Sequence, residues 1–206
     1  NAAAAAAAAR AAGAARVAVR DWDVHHGNGT QHMFYDDPTV MYLSAHQYPF
    51  YPGTGAPGET GAGAGVGATV NVGLPAGSGD AELLASVDRV FAPALQSFAP
   101  ELLIISAGFD MHAADPLAGL AVTERGYRGA AQRLCRVADE VCGGRVVVLL
   151  EGGYDLDALA RSLVEVLKVM AGEPAKEVAT GDVRPEGARA IERTLAAHVG
   201  AAWVAR

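Results

Sequence analysis

The chain has two cysteines in 206 residues, only 6% aromatics, no cluster of lysine and arginine, and no long uncharged apolar run. Each scarcity excludes something. Cys135 and Cys142 stand seven apart in one helical stretch, a spacing that makes neither a zinc knuckle nor a disulfide framework, so the expected setting is a reducing cytoplasm. A net charge of -7 without a basic cluster argues against a nucleic-acid surface and tolerates a cationic substrate such as a lysine or a polyamine. No stretch reaches the roughly 18 to 20 apolar residues of a membrane span, and the run Ala2 to Ala9 is a poor signal-peptide core. A start methionine is lacking too: the chain opens on Asn1 and enters an alanine-rich helical stretch with nothing before it to set up a helix start, which reads as a cut end.

What is present is a globular composition, 51% apolar and 19% charged, enough for one sizeable core. Five short runs rich in Val, Ile and Leu are predicted strands: Val17 to Trp22, Val40 to Leu43, Ala68 to Val72, Leu102 to Ser106 and Arg145 to Leu150. Helical stretches lie near Ala2 to Ala15, Ala81 to Phe98, Thr123 to Val141, Leu156 to Ala171 and Pro185 to Val199. Largely alternating strands and helices, with nearly continuous apolar strands, predict an α/β fold: a parallel sheet with helices on both faces. Tyr48 to Gly67 is dense in proline and glycine and reads as a long loop, functional rather than a spacer because it carries Tyr48, Phe50 and Tyr51. Residues 1–172 form the expected main domain, and 173–206 a peripheral helical tail.

Ligands of open parallel sheets bind beyond the carboxyl ends of the strands, and the residues there are polar. They are Asp21-Trp22-Asp23-Val24-His25-His26-Gly27-Asn28-Gly29, Ser44-Ala45-His46, Ser106-Ala107-Gly108-Phe109-Asp110 and Glu151-Gly152-Gly153-Tyr154. Asp23 and His25 are two apart, so in extended chain both side chains point one way, and Asp110 can join them from another strand end. One histidine and two carboxylates suit Zn²⁺ or Fe²⁺ and leave open positions, which is a catalytic rather than a structural arrangement. Strand-end Asp and His are singly more often turn or cap residues; the set, with Gly27, Gly29 and Gly108 permitting close backbone approach, favours the metal. Tyr154, after two glycines, could donate its hydroxyl to a developing oxyanion, or be a plain core tyrosine. His32, His112 and His198 read as surface or helix residues, and His46 stays open.

Asp21 to Gln31 closely resembles the signature of class II-like histone deacetylases and their bacterial relatives, including acetylpolyamine amidohydrolases. Tyr51-Pro52-Gly53-Thr54-Gly55, Ser106 to Asp110 with Asp115-Pro116-Leu117, and Glu151 to Tyr154 resemble further motifs of that family in order and spacing, over roughly Asn1 to Gly172. The resemblance implies an arginase/deacetylase-like fold and zinc-dependent hydrolysis of acetylated amines, acetyl-lysine in proteins or acetylpolyamines, releasing acetate. It makes Asp23, His25 and Asp110 the zinc ligands and Tyr154 the donor that polarises the acetyl carbonyl. Tyr51 and Leu117, with Gly152 and Gly153, would line the acyl-lysine channel. Asp21 would orient a catalytic histidine, and Asp21, Asp23, His25 and Ser44 would surround a structural K⁺. Asn28 stands where other branches carry aspartate. The family's adjacent His-His pair, its base and acid, belongs upstream of the first motif; its absence here leads to the expectation that the N-terminal part is missing, leaving an apolar sheet edge exposed. Alternatives are a non-catalytic acyl-lysine-binding module and a dinuclear centre like that of the arginases, for which Asp115 and Asp21 are the spare carboxylates.

Overall fold

The computed structural model describes residues 1–174 and 177–204; residues 175, 176, 205 and 206 of the expected tail lie outside the described residues. Five parallel strands form one sheet: β1 (Val17–Asp21), β2 (Val40–Gln47), β3 (Thr69–Leu74), β4 (Leu102–Ala107) and β5 (Val146–Leu150). All five stand where the apolar runs predict them, with shifted ends. β2 continues four residues past Leu43 because Ser44 and His46, polar in sequence, are buried and satisfied at its end.

Strand alternation sorts the side chains into two layers. Ala18, Trp22, Met41, Leu43, Leu103 and Ile105 enter the larger core, covered by α3 (Asp80–Ser86), α4 (Ala92–Phe98), α5 (Glu124–Cys142) and α6 (Leu156–Met170). Val17, Val19, Tyr42 and Ile104 face the other way, where α1 (Ala2–Ala11) packs Ala2 and Ala6 and the chain after α2 (Asn28–Met33) adds Phe34. Small alanines let α1 lie close on the strands. The helix predicted over Ala81 to Phe98 is continuous but carries a π-helical turn at Val87–Phe91 between α3 and α4. α2 has no counterpart in the sequence reading, since Gly27-Asn28-Gly29 looks like a turn. α5 begins on the Thr123 hydroxyl, which accepts from the Arg125 amide, and stops at Gly143 in the left-handed region with φ 59°.

The strand order β3-β2-β1-β4-β5 fixes the site. From β1 the chain steps outward to β2 and β3, then returns to the other side of β1 for β4 and β5. The order therefore reverses between β1 and β4, and that switch point leaves a crevice at their carboxyl ends.

The tail is less peripheral than its polar composition implies. Gly187, Ala190, Ile191 and Thr194 of α7 (Pro185–Ala197) are buried at helical spacing, and the Thr194 hydroxyl donates to the Asn71 carbonyl of β3 at 2.7 Å. α7 thus covers the β3 edge of the sheet, whereas β5 leaves Val147 and Leu150 41% and 50% exposed at the opposite edge. Ile191→Ala should lower the unfolding free energy by about 2–5 kcal/mol, as for any large-to-small change in a packed core; a urea midpoint unchanged from the parent would mean that α7 is not part of the cooperative unit.

Candidate functional site

Two aromatic anchors hold the crevice open in a fixed shape. Trp22, just past β1, and Phe109, just past β4, are both fully buried against Tyr127 of α5, with ring centroids 6.1 and 4.9 Å away. The Trp22 amide donates to the Ser106 carbonyl at 3.1 Å, which carries the β1–β4 ladder one step further. Both turns that follow are thereby pinned to the same helix.

Asp23, His25 and Asp110 meet above these anchors, with one potential ligand atom from each all within 4.8 Å of one another. His25 Nδ1 lies 3.1 Å from Asp23 Oδ1 and 3.3 Å from Asp110 Oδ2. Asp110 is buried; its Oδ1 accepts from the Val24 amide at 2.8 Å, while Oδ2 has no hydrogen-bond partner among the described residues. Burial, then the neighbouring Asp23 charge, holds the Asp110 carboxyl well above the ordinary carboxylate range. Asp21, buried beside them, is raised to about 7, again chiefly by burial and then by Asp23, although its oxygens accept from the Asp23 amide and the Tyr42 hydroxyl. A buried carboxylate oxygen without a donor, facing a second carboxylate and an imidazole, fits a divalent cation, whose charge relieves the repulsion.

Glycine forms the walls. A Cβ on Gly152 would sit 2.5 Å from Asp110 Oδ2 and 2.6 Å from Asp23 Oδ2, and one on Gly108 would sit 2.4 Å from Asp23 Oδ2. The Gly152 amide instead donates to Asp23 Oδ2 at 3.2 Å. Two residues on, the Tyr154 amide donates to Asp115 Oδ2 at 2.7 Å, and Asp115 Oδ1 accepts from the Leu117 amide at 3.0 Å. One buried carboxylate thus holds both rim residues, whose side chains are exposed. Burial, followed by the Asp110, Asp23 and Asp115 charges, raises the Tyr154 hydroxyl above its ordinary value.

The proline-rich loop covers the His25 side. Phe50 stacks on the His25 ring at 5.6 Å, and Tyr51 meets it edge-on at 6.1 Å. The loop is tied down by Glu59, which accepts from the Gly55 and Ala56 amides and from Gln31 Nε2. Gln31 Oε1 accepts from Asn71, so His26 Nε2, 2.9 Å from that oxygen, carries the proton and His26 Nδ1 accepts from the Thr54 hydroxyl. His26 is committed to the loop and is no proton carrier for the site. His46, left open by sequence, is also structural: Nε2 donates to the Gly55 carbonyl and Nδ1 accepts from Ser44.

Other expectations change. His112 and His198 are buried rather than on the surface, the first beside Glu124 and the second against Trp203. Asp115 and Asp21 are spent on backbone amides and Tyr42, and among the described residues only Asp23, His25 and Asp110 form a metal-ligand cluster, so nothing here builds a second ion site. The expected monovalent site around Asp21, Asp23, His25 and Ser44 does not fit either: the Asp21 carbonyl accepts from the Arg20 guanidinium, and the Ser44 hydroxyl is turned to His46. Arg20 escaped the sequence reading, although an arginine inside the apolar run Val17–Asp21 was its visible signal. Phe50 was marked only as one of the loop's aromatics, without a role at His25, and Glu59, which was missed, had no signal beyond its loop. A cleft of about 230 Å³ borders the centre and is lined by Asp21, Asp23, His25, His26, Ser106 and Glu151 among others. A larger one of about 480 Å³ between α5 and α6 holds no such cluster; chemistry, not size, selects the site.

Residues 1–170 match the family described as Histone deacetylase domain. The chain is 48% identical over 163 residues to Histone deacetylase 10, chloroplastic, of Oryza sativa subsp. japonica, covering 79% of this chain and 37% of that one. It is 46% identical over 158 residues to a probable deacetylase of Archaeoglobus fulgidus, covering 76% and 44%. The chain therefore spans less than half the length of these relatives. Among solved structures, the HDA15 HD domain superposes with TM-score 0.86 at 40% identity, over 97% of this chain and 55% of that one, and the histone deacetylase Clr3 with 0.83 at 37%, over 89% and 31%.

Asp110→Asn should weaken Zn²⁺ binding by more than the roughly 10- to 100-fold that loss of an outer supporting residue costs, measured by chelator competition; unchanged affinity would remove Asp110 from the ligand set. With metal absent, the raised Asp21 and Asp110 carboxyls take up protons on folding. Stability should then fall as pH rises from about 4, the unfolded value, through about 7, and saturating Zn²⁺ should flatten that slope in thermal melts.

Proposed function

Because the chain belongs to the histone deacetylase family, we propose that Asp23, His25 and Asp110 hold a zinc ion in a centre that hydrolyses acetylated amines to acetate and the free amine. The observation that carries this reading is the Asp110 oxygen, buried and without a donor, aimed at His25 beside a second carboxylate. When bound, zinc would supply Lewis acidity to the acetyl carbonyl and a lowered pKa to water; Fe²⁺ has the same donor preferences.

The residues around the ion have separable tasks. Phe50 and Tyr51 hold the His25 ring, and the amides of Val24 and Gly152 hold the two carboxylates, so the ligands are set before anything binds. Tyr154 presents its hydroxyl as donor to the acetyl oxygen as that oxygen gains charge, and burial, then the neighbouring carboxylates, raise its pKa further above neutral pH, where the phenol is already protonated. Tyr51 and Leu117, with the Gly152-Gly153 backbone, line the approach of the acylated side chain; their exposed apolar groups flank an aliphatic linker well. Asp21 borders the cleft beside Asp23, held there by the Asp23 amide and the Tyr42 hydroxyl, and from that position it would orient a proton-carrying group entering the cleft. The substrate is an acetyl-lysine side chain or an acetylpolyamine, cationic once released, in keeping with the acidic chain. No helix among the described residues is long and apolar enough to cross a membrane, and two unpaired cysteines suit a reducing compartment such as the cytoplasm.

The test is acetate release from an acetyl-lysine peptide and an acetylpolyamine by the full natural protein, with bound zinc counted in parallel. Tyr154→Phe should lower kcat by about 10²–10³-fold while leaving zinc stoichiometry intact. Tight substrate binding with full zinc and no acetate from either substrate would replace this reading with the acyl-lysine-binding one.

A further inference from the structure

Strand β1 reads Val-Ala-Val-Arg-Asp, and all five residues are buried. Alternation turns Arg20 away from Asp21 into the larger core, where its guanidinium carbon lies 4.1 Å from the centroid of the Phe91 ring. Nη1 bends back to donate to the Asp21 carbonyl, while Nε and Nη2 have no partner among the described residues. A charge so placed is held by a carbonyl dipole, an aromatic face and the field of the neighbouring Asp21, not by an ion pair.

We infer that Arg20 is a built-in counter-cation for the strand-end backbone behind the metal centre, taking up the Asp21 carbonyl that a monovalent ion would otherwise use. The position fits. Arg20 donates to a carbonyl of the expected cation set, and its charge, after burial and His26, contributes to holding the neighbouring His46 neutral near a pKa of about 3. Ser44, the hydroxyl of that set, is given to His46. The guanidinium stays charged at neutral pH, since burial brings it down only to about 10. A second cation at the Asp21 carbonyl would face this charge in a setting with little water to screen it. A tethered arginine also costs no binding equilibrium: the turn from Asp21 to His25 carries its positive charge whatever the salt.

The first readout is the thermal midpoint of the wild-type protein in KCl against N-methylglucamine chloride at about 0.15 M, an ionic strength that screens surface charge equally in both. The two midpoints should coincide. A midpoint that rises saturably with K⁺ alone would overturn the inference, because a ligand of the folded state stabilises it by mass action. The second readout is Co²⁺ affinity from its visible absorption. Arg20→Met should lose about tenfold or more in the potassium-free buffer, comparable to loss of an outer supporting residue, and regain part of it in KCl; wild-type affinity without potassium would also overturn the inference. Should Arg20→Met not fold, the wild-type comparison decides by itself. Only the Co²⁺ readout rests on Asp23, His25 and Asp110 holding a divalent ion, so failure of that reading is distinguishable: Co²⁺ would then bind neither protein.

Discussion

Asp23 and Asp110 face one another in the crevice between β1 and β4, one partly and one wholly withdrawn from water. Like charges at that separation do not both ionise cheaply, and without a cation the strain appears as raised carboxyl pKa values at Asp110 and Asp21. Much of the surrounding structure exists to impose this confrontation. The strand order brings the two turns together, Trp22 and Phe109 bolt them to Tyr127, and the glycines at 108 and 152 remove the side chains that would keep the oxygens apart. A folded state that stores repulsion in this way would favour a divalent ion at the proposed ligand set, because the ion would remove that cost.

A second constraint acts at longer range. Glu59, Gln31, His26 and Asn71 form a chain of hydrogen bonds that joins the proline-rich loop to α2 and to β3, and Gly55, at φ +86°, passes so close to His26 and His46 that any Cβ there would strike both rings. This network contributes no ligand. Its effect is to hold Phe50 and Tyr51 over His25, so that an exposed loop behaves as part of the rigid wall. Burial pushes the His26 imidazole down, which keeps it neutral and keeps the donor pattern of the network fixed around neutrality.

The parts of this arrangement legible in the sequence were those written in local patterns. Apolar runs marked the five strands, and strand-end polarity marked Asp23, His25 and Asp110, because both signals lie within a few neighbouring residues. Arg20 was visible as a charge in an apolar strand, yet its meaning depends on Phe91 and on the carbonyl of its own neighbour, which only the folded backbone brings into reach. The tail misled because its buried stripe of Gly187, Ala190, Ile191 and Thr194 contains one strongly apolar residue; the periodicity was there, but hydropathy hid it. The Glu59 network could not be read at all, since its members are spread from residue 26 to residue 71 and meet only through the pairing of β2 with β3.

Gly152 gives the site a mechanical property beyond close approach. Its amide holds one oxygen of Asp23, and two residues further the amide of Tyr154 holds Asp115, so the short segment is strung between a ligand and a structural carboxylate like a cord between two pegs. The peptide unit that contacts Asp23 and the one that contacts Asp115 are separated by a single residue, Gly153, at φ 143°. The position of the carboxylate and that of the rim tyrosine are therefore not independent: the backbone that carries Tyr154 is fixed at both ends by buried or half-buried acidic side chains.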